Sequence, residues 1–394
     1  MATGTSGDLL DDRNKHAQSV FKHEILRRYI PLFIAMPGST ALDHRVVILD
    51  GFAGKGRYPD GSPASAELIL QAIKDLQRSR RVTAYFTEKN RESFASLAQV
   101  VGEYRAAGLD VHALHGEVSD HLDKVVAAAT GAPLLLFLDP CGAGLPFDRL
   151  REVLVGPRRE RWPQTEVLLN FSADLSRRTG GLLNKDEFAE AAWMDITCGG
   201  PWWRSTVKES LKTSSTRGFE PVAHAVANEY ARRLAGATGC HPVVVPVRRR
   251  LHHQPIYHLI FLTRSPYGLW VFADAIGKAR KVYLQHLGRL DDDDLDALFT
   301  WEDGMSALME GEHAKAVKVV TANIRRLLQE RGGRPFRLVD QVTAVFGEAY
   351  GYATEAAVAA ALRGLAGSGR VMVSNDRRLR ERKVWSAVPL RARP

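Results

Sequence analysis

Val46-Val47-Ile48-Leu49-Asp50-Gly51-Phe52-Ala53-Gly54-Lys55-Gly56 is the stretch on which the fold turns. Four apolar residues run into a carboxylate and then into a turn with three glycines. A short apolar run ending in a glycine turn predicts a buried strand feeding a tight strand-to-helix connection. Glycines there permit the tight turn and let backbone approach a ligand closely. The GxGxxG spacing of a dinucleotide site is missing. So is a phosphate loop, because Lys55 is followed by Gly56 and Arg57 rather than by Ser or Thr. The turn suits a cofactor without a pyrophosphate, whose amino-acid portion lies over the glycines. S-adenosylmethionine is such a cofactor, and a plain tight turn is the alternative.

Working outward, further apolar runs follow at Val82–Glu88, Val111–His115, Pro133–Asp139 and Thr165–Phe171. Helical patterns separate them at Ser65–Gln77, Arg91–Ala107, Asp120–Ala129 and Phe147–Val155. Together with Arg45–Asp50 this predicts five parallel strands covered on both faces. Val243–Arg249 and Ile256–Thr263 are joined by a link too short for a crossover helix, so they form an antiparallel hairpin. The expected fold is α/β, a Rossmann-like methyltransferase sheet of seven strands with a helix, Leu269–Leu287, closing it. Ahead of it, Lys15–Ile34 has helical spacing, with Pro31 and Pro37 expected to break the helix.

Four strand ends carry carboxylates. Glu88 lies 38 residues after Asp50, Glu117 another 29 on, and Asp139 another 22 on. Parallel strands share one rim, where ligands bind. The expected cofactor set is therefore Asp50, Gly51, Phe52, Ala53, Gly54 and Gly56 for the amino-acid part, Glu88 for the ribose hydroxyls and Glu117 for the adenine edge. The expected catalytic set is Asp139, Cys141 and Asn170. Asp139-Pro140-Cys141-Gly142 resembles the (D/N)PP(Y/F) loop of amino methyltransferases, with Cys141 at the second proline and Gly142 at the aromatic position. Two readings stay open for Cys141: a nucleophile, as in C5-pyrimidine methyltransferases, or a small buried residue. Asn170 either orients substrate or caps a turn.

Composition removes other classes. The chain has 394 residues, 45% hydrophobic and 25% charged, an ordinary globular balance. Three scattered cysteines make neither a disulfide scaffold nor a zinc site, so no metal is expected. No apolar run approaches the ~20 residues of a membrane span. The polar start lacks a secretion signal, and a cytoplasmic protein is expected. The net charge of +9 is concentrated: His313–Pro394 holds 16 lysines and arginines against 6 acidic residues, and the remainder 38 against 39. Such a basic segment is the footprint of a nucleic-acid partner or a solvated arginine-rich surface. Its pattern of three helices and a hairpin reads as a winged helix, with Arg377, Arg378, Arg380 and Lys383 in the hairpin loop as candidate phosphate contacts.

The expected organisation is a disordered 1–14, a methyltransferase-like domain at 15–290 with an insertion at 172–240, a linker at 291–312 and a basic domain at 313–394. Within the insertion, Trp202-Trp203 is read either as a base-stacking or lid pair or as local packing.

Lys22-His23-Glu24-Ile25-Leu26…Tyr29, Asp50-Gly51-Phe52-Ala53-Gly54-Lys55-Gly56-Arg57-Tyr58 and Asp60-Gly61-Ser62-Pro63 resemble the three-Cys-motif partner protein family. Phe86-Thr87-Glu88-Lys89 and Asp139-Pro140 fit the same pattern, and the resemblance spans roughly residues 15–290. It implies a class I methyltransferase-like sheet and a neighbouring protein of radical S-adenosylmethionine type. Three functions stand: a nucleic-acid methyltransferase, a non-catalytic nucleic-acid-binding partner of such a radical enzyme, and a metal-dependent nuclease or repair factor.

Overall fold

The apolar runs become strands and the periodic stretches become the helices that cover them. The computed structural model describes residues 17–140, 142, 144–156, 158, 165–173, 188–213, 220–248, 253–292 and 301–387. Residues 1–14 and Cys141, read above as a disordered start and a candidate nucleophile, lie outside the described residues. The chain divides into two compact units, residues 1–264 and 265–394.

The first unit runs α1 (Ala17–Thr40), β1 (Arg45–Asp50), α2 (Ser65–Leu76), β2 (Arg81–Glu88), α3 (Arg91–Ala106), β3 (Asp110–His115), α4 (Val118–Ala128), β4 (Leu134–Leu138), α5 (Phe147–Leu154) and β5 (Thr165–Ser172). Three helices of the insertion follow, α6 (Phe188–Cys198), α7 (Trp202–Thr213) and α8 (Glu220–Thr238), then β6 (His241–Val247) and β7 (Tyr257–Thr263). The strands form one sheet in the order β3-β2-β1-β4-β5-β7-β6. Strands β1 to β5 pair in parallel, and β7 runs antiparallel to both β5 and β6. This is the Rossmann-like seven-stranded sheet expected above. Val46–Leu49 of β1 and Leu134–Phe137 of β4 are fully buried, as strands covered on both faces must be. The chain reverses its direction of travel across the sheet between β1 and β4, so the crevice lies at their carboxyl ends.

Helix α1 corrects one expectation, because it continues through both Pro31 and Pro37. A proline inside a helix costs about 3 kcal/mol. Phe21, Ile25, Leu26, Tyr29, Ile30, Phe33 and Ile34 are all buried on this helix. At about 1.5–3 kcal/mol for each large apolar side chain, their burial outweighs both breaks.

The second unit contains α9 (Pro266–Asp292), α10 (Trp301–Glu330), β8 (Phe336–Arg337), α11 (Val342–Phe346), α12 (Glu355–Gly367), β9 (Val371–Val373) and β10 (Lys383–Ser386). Its three strands pair antiparallel in the order β8-β10-β9. The helix expected to close the first unit belongs to the second, where Trp270 donates to Glu355 and meets Phe346 edge-on at 5.2 Å. Of the linker expected at 291–312, residues 301–312 belong to α10, and 293–300 lie outside the described residues. Gly304 and Gly311 lie inside this helix of 30 residues, where each costs only about 1 kcal/mol.

Candidate functional site

Asp50 closes β1 with no solvent exposure. Its Oδ1 accepts the Phe52 N–H at 3.2 Å, and its Oδ2 accepts the Ser65 hydroxyl at 3.0 Å. These bonds tie the glycine turn to the start of α2. Burial pushes the carboxyl up to about 7, against the pull of the two hydrogen bonds and of Lys22. Because it is enclosed, Asp50 shapes the turn from beneath it. At Gly51 a Cβ would stand 2.7 Å from Leu138 Cδ2 and 3.0 Å from Val118 Cγ2, so those side chains would have to shift to admit one. Gly54 is left-handed at φ +61°, and nothing lies within 4 Å of where its Cβ would be. The turn thus presents open space at Gly54.

Glu88 closes β2 beside this turn and is buried. Its Oε2 accepts the Gly54 N–H at 3.0 Å and its Oε1 the Asn90 N–H at 2.7 Å. A carboxylate accepts about four hydrogen bonds, so each oxygen keeps one position free. Glu117 stands at the start of α4 with an exposed side chain, 3.8 Å from Lys89. Its backbone N–H donates to Asp120 Oδ2 at 3.1 Å, the geometry of a helix start.

The other end of the rim is assembled from distant segments. Asp139 follows β4, and its two oxygens take two different donors: the Lys22 ammonium on Oδ2 and the Asn170 amide on Oδ1. Lys22 comes from α1 and Asn170 from β5. The Lys22 and Asp139 side chains are each 18% exposed, so the pair is open at one side. Burial pulls the Lys22 pKa down, but Asp139, Tyr58 and Asp50 together carry it above its ordinary value, so the group is an ammonium. Asn170 is 5% exposed, and its Oδ1 has no hydrogen-bond partner. Its amide is oriented by Asp139, which only accepts. A cavity of about 20 Å³, large enough for a water, lies along Leu138, Pro140, Gly142, Asn170 and Tyr230. Tyr58 meets His23 edge-on at 5.7 Å, with Oη 3.4 Å from Nε2.

Sequence reasoning placed Asp139 and Asn170 at the site, and the structure joins them by a hydrogen bond. It missed Lys22 as a site residue. The signal was present, because Lys22, Leu26, Tyr29 and Phe33 share one helical face, on which Lys22 is the only charge. Trp202 and Trp203 are packing residues. Trp203 is fully buried with its N–H on Asp195 at 2.7 Å, and Trp202 donates to the Cys198 carbonyl at 2.8 Å beneath the Arg233 guanidinium.

In the second unit, Arg377, Arg378 and Lys383 are exposed on the β9–β10 hairpin and its loop. Arg380 differs from them. Its side chain is 16% exposed, lies 5.8 Å over the Tyr267 ring and is 3.8 Å from Glu381. Among the described residues no three His, Cys, Asp or Glu side chains gather as a metal ion requires, and no helix is long and apolar enough to cross a membrane.

No family model matches the sequence, and no curated protein does either. Among solved structures, the chain is similar to a precorrin-6y C5,15-methyltransferase from Geobacter metallireducens, at 12% identity over 58% of this chain and 86% of that one, with a TM-score of 0.28. It is similar to M. jannaschii TYW2 in complex with AdoMet, at 8% identity over 65% and 78%, with a TM-score of 0.29. A third is a methyltransferase from Geobacter sulfurreducens in complex with S-adenosyl-L-homocysteine, at 13% identity over 59% and 89%, with a TM-score of 0.23. Likenesses this faint carry no functional argument; the sheet order defines the fold on its own.

Proposed function

We propose that the first unit binds S-adenosylmethionine at the carboxyl ends of β1 and β2 and transfers its methyl group to a nucleic acid. One observation carries this reading. The β1 turn opens onto free space at Gly54, while Glu88, anchored to the Gly54 amide, keeps two acceptor positions beside it. A pair of vicinal ribose hydroxyls needs two such acceptors on one carboxylate. The amino-acid portion lies over the glycines that Asp50 holds in shape, and Glu117 at the α4 start faces the adenine edge. The residues fit the group. When bound, it supplies an electrophilic methyl carried on sulfonium.

The chain's own residues hold the acceptor against that methyl. Catalysis is then mainly positioning, which in oriented systems supplies about 7–11 kcal/mol of a barrier. The second unit, read as a winged helix, brings the acceptor by its phosphates. Its basic excess and the exposed Arg377, Arg378 and Lys383 support that role. A nuclease would need clustered metal ligands, which the described residues do not provide.

Calorimetric titration with S-adenosylmethionine and S-adenosylhomocysteine tests the reading. Micromolar binding, weakened in Glu88→Gln, is the expected result. Failure of both ligands to bind would overturn it and favour a scaffold serving a separate radical S-adenosylmethionine enzyme.

A further inference from the structure

The β4–β5 corner discriminates between kinds of acceptor atom. A neutral amine has one lone pair, which methyl transfer consumes, and it must place its N–H bonds on acceptors. It also gathers positive charge as it reacts. A hydroxyl has two lone pairs and one O–H, so it can attack with one pair while accepting a hydrogen bond on the other. The corner is matched to the second case. Lys22 carries three N–H donors, of which Asp139 takes one. Asn170 Oδ1 is buried without a partner, so a donor that satisfies it relieves a desolvated acceptor. The Lys22–Asp139 pair is open at one side.

We propose that Lys22, Asp139 and Asn170 form an oxygen-acceptor site, and that the acceptor is the ribose 2′-hydroxyl of RNA. This rests on the S-adenosylmethionine reading above. Within a nucleic-acid chain the 2′-hydroxyl is the alcohol available for methylation, and DNA lacks it. Lys22 donates to the hydroxyl oxygen and stabilises the negative charge that develops there. The O–H faces Asp139 and Asn170 Oδ1. As the oxygen lone pair forms the C–O bond, the methyl–sulfur bond breaks with its electron pair going to sulfur. The hydroxyl proton passes to Asp139 and then to water. The products are a methyl ether, S-adenosylhomocysteine and a proton. An amine at this corner would carry growing positive charge against the Lys22 ammonium, with no lone pair left to accept from it.

The test uses the full-length protein and three probes of one mixed sequence: unmodified transcribed RNA, its DNA counterpart and its fully 2′-O-methylated copy. Binding of S-adenosylhomocysteine is measured first by calorimetry. Anisotropy then compares the probes with S-adenosylhomocysteine present. The expected result is RNA bound about tenfold more tightly than its 2′-O-methyl copy, a preference lost in Lys22→Met and reduced in Asn170→Asp. With methyl-labelled S-adenosylmethionine, label enters RNA alone and survives alkali in dinucleotides, because a methylated 2′-oxygen cannot cleave its neighbouring phosphate. Either the alkali-stable label or the Lys22-dependent preference supports the proposal. Label in DNA, or label released in alkali as mononucleotides, would overturn it and leave the cofactor reading standing. So would bound S-adenosylhomocysteine with neither label nor preference. Absence of S-adenosylhomocysteine binding overturns the cofactor reading itself. The unmutated protein's own preference keeps the test decisive if a variant does not fold.

Discussion

The two ends of the sheet rim are built on opposite plans. At β1–β2 no bond spans more than 34 positions: Asp50 reaches Phe52 two positions away and Ser65 fifteen away, and Gly54 reaches Glu88 thirty-four away. At β4–β5, Asp139 meets Lys22 from 117 positions upstream and Asn170 from 31 downstream. The first end is a turn that its own residues shape. The second exists only once α1 lies across the finished sheet. On the proposed reading the β1–β2 end holds the cofactor and the β4–β5 end, which needs Lys22 from α1, holds the acceptor, so mutation tests whether the two are separable.

The largest expected effect breaks the pair at its long-range end. Lys22→Met removes one donor aimed at developing charge, which typically costs about 10²–10³ in rate. S-adenosylhomocysteine affinity, read by calorimetry, should fall much less than the rate, because Lys22 bonds to Asp139 and reaches Asp50 of the β1–β2 end only through its charge. Parallel losses of rate and affinity would show that the two ends are one site. The converse substitution, Glu88→Ala, should weaken S-adenosylhomocysteine by about tenfold to a hundredfold, since bonds to a charged group are lost. RNA binding should survive it.

The anchor beneath the assembled end responds to pH. Glu166 is buried in β5 and accepts from Tyr29 of α1 and, at 2.9 Å, from Thr263. Burial raises its carboxyl from 4.5 to about 7, against those two hydrogen bonds. The folded protein therefore holds a proton that the unfolded chain has released. The stability this contributes is fully present below about pH 4.5 and is lost as pH rises through about 7. The loss is on the order of 3 kcal/mol. Asp50 slopes the same way, from 3.8 to about 7. Melting temperature should fall from pH 5 to pH 8, and Glu166→Gln should remove part of that fall, Asp50 carrying the larger share. An unchanged slope in the variant would mean Glu166 is ionised when folded.

Gly51→Ala sharpens the local end. Its Cβ would press on Leu138 Cδ2 and Val118 Cγ2, and about 1–2 kcal/mol of destabilisation is expected in the denaturant midpoint at unchanged slope. The smallest effect lies in the second unit. Arg377→Ala with Arg378→Ala should lower the salt-dependence slope of nucleic-acid binding by about 2. Arg380→Ala should leave it unchanged, because that guanidinium is spent on Tyr267 and Glu381.

The same division explains what could be read from the sequence. Strand ends bearing Asp50, Glu88 and Asp139 were legible because period, turn chemistry and carboxylate spacing are local. The path of α1 through Pro31 and Pro37 was not, because a local breaker rule was set against the burial of seven distant-contacting side chains. Lys22 was legible only as an odd charge on an apolar face. Its meaning depended on where Asp139 would arrive.

Helix α1 also has a place in time. The ribosome completes it before any strand exists, and Tyr29 must wait for Glu166, 137 positions later. At about 5–20 residues per second that interval is roughly 7–27 s. Throughout it a helix with a flank apolar but for Lys22 is in the open without its sheet. Nascent chains should therefore depend on chaperones most in this window, and slow codons before β5 should prolong it. The Lys22–Asp139–Asn170 corner has its first residue made early in the unit and cannot close until Asn170 has been added, 148 positions later.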